Sequence, residues 1–269
     1  MINKCFFILK NIKNNISKMR SDLNLNFKNR IPKIIHYCWF GKGEKPTIVE
    51  ECIKSWNKYL RDYEIIEWNE SNFDINSNLY LKQAYEAKKY AFVSDYVRVF
   101  VLYKYGGIYL DTDVEVFKDF NDLLDNESFW GFEQENYIAT STIGAKKGNK
   151  IIKDFLKSYE KKDFYKDDGS FDELTNVAII TSILKKYGLI QDGSYQEIHG
   201  LATFYPQTYF SPYDYINCRK IITNNTYCMH HFYKSWLPMS ESIKGKIKLL
   251  IANIIGGNNI FRIRKLLSK

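Results

Sequence analysis

Two aspartates lie one residue apart in the stretch GGIYLDTDVEVF, which starts at Gly106. On an extended segment, Asp111 and Asp113 point to the same side, with their Cα atoms about 7 Å apart. Carboxylates this close repel each other unless a cation lies nearby, and Mg²⁺ or Mn²⁺ is commonly held by one or two carboxylates together with substrate phosphates. The pair therefore predicts a divalent metal site. For so short a motif, a solvated turn in which both aspartates cap backbone N–H groups is the alternative.

A second charged pair lies upstream, in the apolar stretch AFVSDYVRVFVLYKYGG. Asp95 and Arg98 are three residues apart, the spacing of neighbours on one helix face. Because this helix is apolar on nearly all sides, it is predicted to be buried, and buried charges must be paired or face a polar cavity. Two interpretations stay open: an ion pair that satisfies only itself, or one wall of the site that Asp111 and Asp113 enter.

Two further blocks contain residues that suit ligand binding. In KIIHYCWFG, Trp39 lies at the end of a predicted strand, where it is either a stacking ring for a ligand or an ordinary core residue. In MHHFYKSW, His230 and His231 follow a strand-like segment, and a neutral imidazole can complete a metal site or donate to a phosphate oxygen. Either histidine could point inward.

In their order and approximate spacing, these blocks resemble the DXD-containing sugar transferases of glycosyltransferase family 32. The S-D-x-x-R block followed by G-G-x-Y-x-D-x-D carries the resemblance, which covers roughly residues 31–238. That family is similar to the sugar-transferring domains of large clostridial toxins and to yeast Och1-type mannosyltransferases. The resemblance implies an α/β fold of the GT-A type, with a Rossmann-like nucleotide-binding sheet flanked by helices. It also implies a metal-dependent glycosyltransferase that retains the anomeric configuration.

The resemblance assigns metal binding to the aspartate pair. Asp113 would bind Mn²⁺ or Mg²⁺, which in turn holds the diphosphate of a nucleotide-sugar. Asp111 would contact the ribose or the donor sugar, directly or through a metal-bound water. His230 and His231 are further candidate metal ligands.

The donor-binding residues follow from the other blocks of the resemblance. Asp95 and Arg98 would bind donor-sugar hydroxyls and the diphosphate, and are expected to be catalytic together with the two aspartates. Trp39 would stack on the nucleotide base. Ser235 and Trp236 would belong to a C-terminal loop that closes over the diphosphate.

One departure from the family pattern bears on the substrate. Och1-like members tend to carry a Gly-Pro pair before a threonine where this chain has LTNVAIIT, residues 174–181, with Asn176 and Val177 at that place. Mannosyl specificity is therefore not transferred, and a UDP-sugar is favoured as donor over a GDP-sugar. The expected acceptor is a saccharide of a bacterial capsule or surface polysaccharide, including a lipid-linked one. The alternative is a toxin-like transferase that modifies a protein hydroxyl.

The charge distribution divides the chain into three parts. The net charge is +8, but residues 1–30 carry +6 and residues 242–269 carry +7, which leaves residues 31–241 at −5. The acidic middle, without a recognisable nucleic-acid motif, argues against a nucleic-acid partner. We predict a basic N-terminal extension, a GT-A-like catalytic domain and a basic amphipathic C-terminal extension with these bounds. The basic C-terminal extension is either a helix that lies on an anionic membrane surface or a solvated helix packed on the domain.

Alternating strand-like and helix-like segments support the α/β prediction. Five cysteines without a CxxC pair, a short N-terminal apolar run and no stretch of ~18–20 apolar residues predict a cytoplasmic protein. If the basic termini bind a membrane, the protein is expected to be peripheral on its inner face. The aromatic-rich segment 199–236 predicts packed loops and short strands. Strands are predicted at 33–40, 63–68, 108–117, 129–133 and 138–145, and helices at 47–60 with Thr47 as N-cap, at 79–107 in two pieces, at 149–161 and at 173–187.

Overall fold

The computed structural model describes residues 30–172, 174–233, 252 and 254–267, without the side chains of Glu135 and Leu267. The chain divides into two units, 1–30 and 31–269, and all described residues but one belong to the second. The predicted N-terminal extension and the boundary near residue 241 thus lie almost wholly outside the described residues, and the three-part division stays a prediction.

The described unit contains strands and helices in alternation. The helices are α1 Thr47–Tyr59, α2 Leu79–Glu86, α3 Tyr90–Tyr105, α4 Lys150–Lys157, α5 Asn176–Lys186, α6 Gln207–Phe210 and α7 Gly257–Leu267. The strands are β1 Ile34–Cys38, β2 Glu64–Trp68, β3 Gly107–Leu110, β4 Val114–Val116, β5 Ser128–Phe132, β6 Ile138–Ala145, β7 Gln196–Ile198, β8 Ala202–Tyr205, β9 Tyr213–Asp214, β10 Arg219–Lys220 and β11 Cys228–His230.

Seven strands form a mixed central sheet in the order β2–β1–β3–β6–β5–β8–β7. Strand β1 is parallel to β2 and β3, β6 is antiparallel to β3 and β5, and β5 is parallel to β8. Strands β1, β3 and β5 therefore end at the same edge, here called the carboxyl edge, where α/β sheets bind ligands. The helix-flanked mixed sheet confirms the α/β prediction and is the arrangement expected of a GT-A-type domain.

Both faces of the sheet are covered by apolar side chains. Along β3, Tyr109 belongs to one buried cluster, whereas Ile108 and Leu110 belong to a second one, because successive side chains of a strand point to opposite faces. Burial on both faces explains why β3 and β5 are nearly continuous apolar runs and do not alternate with polar residues.

Helix α3 and the glycines after it position the first half of the site. The two-piece helix predicted over 79–107 is confirmed as α2 and α3, and α3 packs on β1 and β3. Gly106 and Gly107 adopt φ of 70° and 107°, and a Cβ on Gly107 would lie 2.7 Å from the Ile34 carbonyl oxygen. Only glycine fits there, so the turn that leads directly from α3 into β3 depends on it.

The buried side chain of His36 hydrogen-bonds to the turn at Gly106. The Nε2 of His36 lies 2.8 Å from the Gly106 carbonyl oxygen, and the indole Nε1–H of Trp68 donates to its Nδ1 at 3.1 Å. Because Nδ1 accepts, the proton sits on Nε2. Burial lowers the pKa of His36 to about 4, against the opposing effect of the hydrogen bond to Gly106. His36 is therefore a neutral structural residue.

Helix α1 begins one residue earlier than a Thr47 cap would predict. Thr47 is the first helical residue and Pro46 occupies the N-cap position, without a side-chain hydrogen bond. Proline at this junction fixes the backbone for helix entry but supplies no capping oxygen. The predicted Thr47 cap is wrong, while the helix itself is confirmed.

Candidate active site

The two aspartates lie on a turn between β3 and β4. Asp111 follows the last residue of β3, and its N–H donates to the Ser141 carbonyl oxygen at 2.8 Å. The N–H of Val114 donates back to the Asp111 carbonyl oxygen at 3.0 Å, which closes the turn. The expectation that Asp111 and Asp113 share one extended strand is thus wrong. The turn nevertheless places their carboxylates close together, at the carboxyl edge.

Arg98 joins the aspartate turn to helix α3. Its side chain is 5% exposed, and its Nη2 lies 2.9 Å from Asp95 Oδ1 and 3.1 Å from Asp111 Oδ1. Its Nη1 donates to the Thr140 carbonyl oxygen at 2.7 Å, and its guanidinium carbon lies 4.6 Å from the centre of the Tyr109 ring. The Asp95–Arg98 pair is therefore not self-contained, because the same cation binds Asp111.

The electrostatics of this group follow from burial. Burial raises the pKa of Asp95 to about 6, although Arg98 acts in the opposite direction. Burial lowers the pKa of Arg98, but Asp111 and Asp95 outweigh it and hold that pKa well above its ordinary value. Arg98 is therefore a permanent cation that pairs with the carboxylates of both Asp95 and Asp111.

The second half of the site comes from far along the chain. Strand β11 pairs antiparallel with β4, so that His230 lies opposite Val114. The His230 Nε2 lies 3.3 Å from Asp113 Oδ1, and the Tyr233 N–H donates to Asp113 Oδ2 at 2.8 Å. Burial raises the pKa of Asp113, but the charge and hydrogen bond of His230 and the Tyr233 N–H lower it to about 2. Burial lowers the pKa of His230, but Asp113 dominates and raises it to about 9.

The two adjacent histidines face different partners. His230 turns toward Asp113, whereas the His231 Nε2 lies 3.0 Å from Glu115 Oε2. This split follows from strand geometry, since neighbouring side chains point to opposite faces. The structure therefore brings His230, and not His231, to the aspartate pair.

The residues present fit a divalent cation. Asp111, Asp113 and His230 each offer a ligand atom, and these atoms all lie within 4.8 Å of one another. Carboxylate oxygens suit Mg²⁺ and Mn²⁺, and an imidazole nitrogen suits transition metals. The Nδ1 of His230 is buried and has no hydrogen-bond partner among the described residues. We therefore regard Asp111, Asp113 and His230 as the candidate metal group.

Trp39 lies at the carboxyl edge and is not a core residue. It follows the end of β1, which neighbours β3, and it is partly exposed, whereas Trp56 and Trp130 are fully buried. Its Nε1–H donates to the Gly43 carbonyl oxygen at 2.7 Å, which fixes the indole ring. A partly exposed, anchored ring at this edge suits stacking on a planar ligand.

Asn176, in the segment that departs from the Gly-Pro pattern, contacts the helix of the site. It is the first residue of α5, and its Nδ2 donates to the backbone carbonyl oxygen of Asp95 at 3.0 Å. The Tyr159 hydroxyl hydrogen-bonds to its Oδ1. In this chain an asparagine therefore connects α5 to the helix that carries Asp95 and Arg98.

Two residues near the site were not part of any sequence motif, and two predicted residues lie outside the described part of the chain. Tyr109 donates from its hydroxyl to Asp111 Oδ1 at 3.1 Å, and Glu133 follows β5 at the carboxyl edge; neither belongs to a predicted site motif. An acidic residue directly after an apolar strand, the pattern that also marks Asp111, was the available signal for Glu133. The predicted lid residues Ser235 and Trp236 lie outside the described residues.

The sequence matches a known family over part of its length. Residues 46–130 match the model described as the glycosyltransferase sugar-binding region containing a DXD motif. This match covers the first DXD aspartate, the second one and the Asp95–Arg98 block. The predicted resemblance is thereby confirmed for this region.

Two curated proteins show detectable similarity. Inositol phosphoceramide mannosyltransferase 3 of Schizosaccharomyces pombe is 32% identical over 126 residues, which are 45% of this chain and 35% of that protein. Subversion of eukaryotic traffic protein A of Legionella pneumophila is 24% identical over 221 residues, which cover 62% of this chain and 34% of that protein. The chain thus spans about a third of the length of these relatives.

Solved structures are similar at lower identity. The glycosyltransferase PaToxG shows 19% identity and a TM-score of 0.45, covering 66% of this chain and 80% of that chain. The galactosyltransferase LgtC, solved with donor and acceptor sugar analogues, shows 14% identity and a TM-score of 0.40, covering 82% of this chain and 95% of that chain.

Proposed function

We propose that this chain, which carries a DXD-containing sugar-binding region, is a metal-dependent, retaining glycosyltransferase. It moves a sugar from a nucleotide-sugar donor to a saccharide acceptor. The observation that carries the proposal is the convergence of Asp111, Asp113 and His230 at the carboxyl edge, beside the buried cation of Arg98.

The residues of the site suit the departure of a nucleoside diphosphate. A bound Mn²⁺ or Mg²⁺ supplies Lewis-acid neutralisation of the leaving diphosphate. Arg98 is held in place by Asp95, Asp111 and the Thr140 carbonyl oxygen, so its charge is oriented before substrate binds. Such preorganised charge stabilises a transition state without the reorganisation that water would need. Trp39 stacks on the nucleotide base.

The proposed donor is a nucleotide-sugar. A UDP-sugar is favoured, and GDP-mannose deserves a test because one relative is named as a mannosyltransferase. The acceptor is a saccharide of a bacterial surface polysaccharide, with lipid-linked saccharides among the candidates. Modification of a protein hydroxyl is the second candidate, supported by the similarity to a Legionella protein named for subverting eukaryotic traffic.

A panel of UDP- and GDP-sugars tests the proposed function. With Mn²⁺ present, we expect one donor to raise the melting temperature and to be hydrolysed slowly in the absence of acceptor. EDTA should abolish hydrolysis, and added Mn²⁺ should restore it, because the carboxylates cannot hold the diphosphate unaided. Absence of binding by every donor, or hydrolysis that EDTA leaves intact, would contradict the proposal.

Helix α7 supports a location at an anionic membrane. It carries Arg262, Arg264 and Lys265 and no acidic residue, while Ile263 is 49% and Leu266 is 74% exposed. Apolar side chains flanked by cations suit a helix that lies in the interface of an anionic bilayer. Among the described residues, no helix is long and apolar enough to cross a membrane. We include peripheral binding to the cytoplasmic membrane face in the proposal.

Substitution of Ile263 and Leu266, two exposed apolar residues of α7, tests membrane binding. The double variant Ile263→Ser, Leu266→Ser should bind phosphatidylglycerol-containing vesicles at least ~10-fold more weakly. The reason is that these two side chains would bury apolar area in the bilayer, and serine removes that area. Donor hydrolysis should not change. Ile190→Ser, at a residue that is 65% exposed and lies outside α7, is the matched control. Equal vesicle binding by all three proteins would refute a membrane role for α7.

A further inference from the structure

The segment that follows β11 folds around Asp113. The Nε2 of His230 lies 3.3 Å from Asp113 Oδ1, and the N–H of His231 donates to the Asp113 carbonyl oxygen at 3.0 Å. The N–H of Tyr233 donates to Asp113 Oδ2 at 2.8 Å. Both carboxylate oxygens and the carbonyl oxygen of Asp113 are therefore held by residues 230–233.

The remaining residue of this segment, Phe232, has an unfavourable backbone conformation. Its φ is 53°, and it is the only aromatic residue with a positive φ in the part of the chain that the structure describes. A residue with a Cβ keeps this left-handed conformation only where the surrounding structure enforces it. The turn at Phe232 reverses the chain after β11 and brings the Tyr233 N–H back to Asp113.

The side chain of Phe232 is half-buried and packs on three rings. Its centroid lies 4.0 Å from that of His230, 5.1 Å from that of Tyr215 and 6.4 Å from that of Tyr213. Tyr213 belongs to β9, and Tyr215 lies between β9 and β10. Because Phe232 covers one side of the His230 imidazole, this ring has less freedom to rotate away from Asp113.

Space filling alone does not explain the conformation of Phe232. An apolar side chain can fill space from an ordinary backbone conformation, whereas the left-handed one is followed directly by the hydrogen bond from Tyr233 to Asp113. Unfavourable backbone conformations cluster at functional sites. Residues that orient metal ligands typically change metal affinity 10–100-fold when they are replaced, although they do not touch the metal.

We propose that Phe232 is a positioning residue for the candidate metal group. Its turn directs the Tyr233 N–H to Asp113, and its ring keeps the His230 imidazole beside the same carboxylate. The inference rests on the proposed function, because it concerns the geometry in which Asp113 and His230 receive a divalent cation. Phe232 itself contacts neither the metal nor the substrate.

The affinity for Mn²⁺, measured by calorimetry in the presence of UDP and, in parallel, of GDP, tests the inference. Phe232→Ala should bind Mn²⁺ about 10-fold or more weakly than the wild type, as is typical when a residue that orients a metal ligand is lost. Phe232→Gly should show a loss of similar size, since it also lacks the ring.

Comparison of these two variants separates positioning from stability. Glycine adopts a positive φ without steric cost, whereas alanine does not, so Phe232→Gly should melt at a higher temperature than Phe232→Ala. Weak Mn²⁺ binding by the more stable Phe232→Gly protein then reports the missing ring and not unfolding. The melting temperature of each protein is measured without ligand.

One conservative variant and one control complete the set. Phe232→Tyr keeps the ring and should retain most of the wild-type affinity for Mn²⁺. Tyr195→Ala removes a ring that is 52% exposed and packs on Tyr205, away from the metal group. Its affinity for Mn²⁺ should stay within about twofold of the wild type, as is usual for surface substitutions.

Four outcomes would overturn the inference. Wild-type affinity in both Phe232→Ala and Phe232→Gly would remove Phe232 from the metal group, and wild-type affinity in Phe232→Gly alone would make the ring dispensable. An equal loss in Tyr195→Ala would make the effect unspecific. If the wild type bound no Mn²⁺ with either nucleotide, the metal-dependent function would itself be refuted; this result is distinct because the wild type fails as well as the variants.

Discussion

Asp113→Asn is expected to reduce donor hydrolysis at least about 1000-fold, the scale of losing metal-based charge stabilisation in a transferase site. Asparagine keeps the size of the side chain but removes the negative charge that a divalent cation requires. The same change leaves His230 without its anionic partner at 3.3 Å. The attraction of Asp113 for the metal and its attraction for His230 are therefore both lost.

The measurement is hydrolysis of the donor identified by the panel, at saturating Mn²⁺, together with the Mn²⁺ affinity of the protein with nucleoside diphosphate bound. Asp168→Asn, at an exposed aspartate, is the matched control and should retain activity. Far-ultraviolet circular dichroism checks that the variant is folded. A folded Asp113→Asn protein with activity within tenfold of the wild type would refute metal binding by Asp113.

Arg98→Met is expected to lower the free energy of unfolding by about 3–5 kcal/mol, because it leaves two largely buried carboxylates, 17% and 24% exposed, without their cation. Arg98 is 5% exposed and is the shared partner of Asp95 and Asp111. Methionine fills much of the same volume, so the decrease in the free energy of unfolding comes mainly from the missing charge and not from a cavity. Urea unfolding at neutral pH measures the effect.

Two companion variants separate charge from packing. Adding Asp95→Asn to Arg98→Met should recover part of the lost stability, because one of the two uncompensated charges is removed. Arg61→Met, at an exposed arginine, should change stability by less than about 0.5 kcal/mol, as is usual for surface positions. If Arg98→Met were as stable as Arg61→Met, Arg98 would not be the cation on which this group of carboxylates depends.

Much of the local structure could be predicted from the sequence because it depends on neighbours in the chain. The strand at the start of the domain, the helix over residues 47–59 and the break between α2 and α3 are all confirmed. The glycine pair after α3 marked the change from helix to strand, since only glycine tolerates the positive φ required there.

Local patterns were less successful where a turn replaced a regular element. IYLDTDVEVF contains β-branched and aromatic residues throughout, which favour one strand, but the chain turns between Asp111 and Val114. Two short strands with different partners result, because β3 pairs within the central sheet while β4 pairs with β11.

The candidate residues were visible as motifs in the sequence: the spaced aspartates, the Asp95–Arg98 pair and the two histidines. Which of these residues lie together depends on the tertiary fold. Because β11 pairs with β4, His230 lies beside Asp113 and His231 does not. Because β3 and β5 run in the same direction, Glu133 lies at the carboxyl edge together with Asp111. The physical reason is that strand pairing and register depend on contacts between residues distant in the chain, whereas residue type and spacing are local.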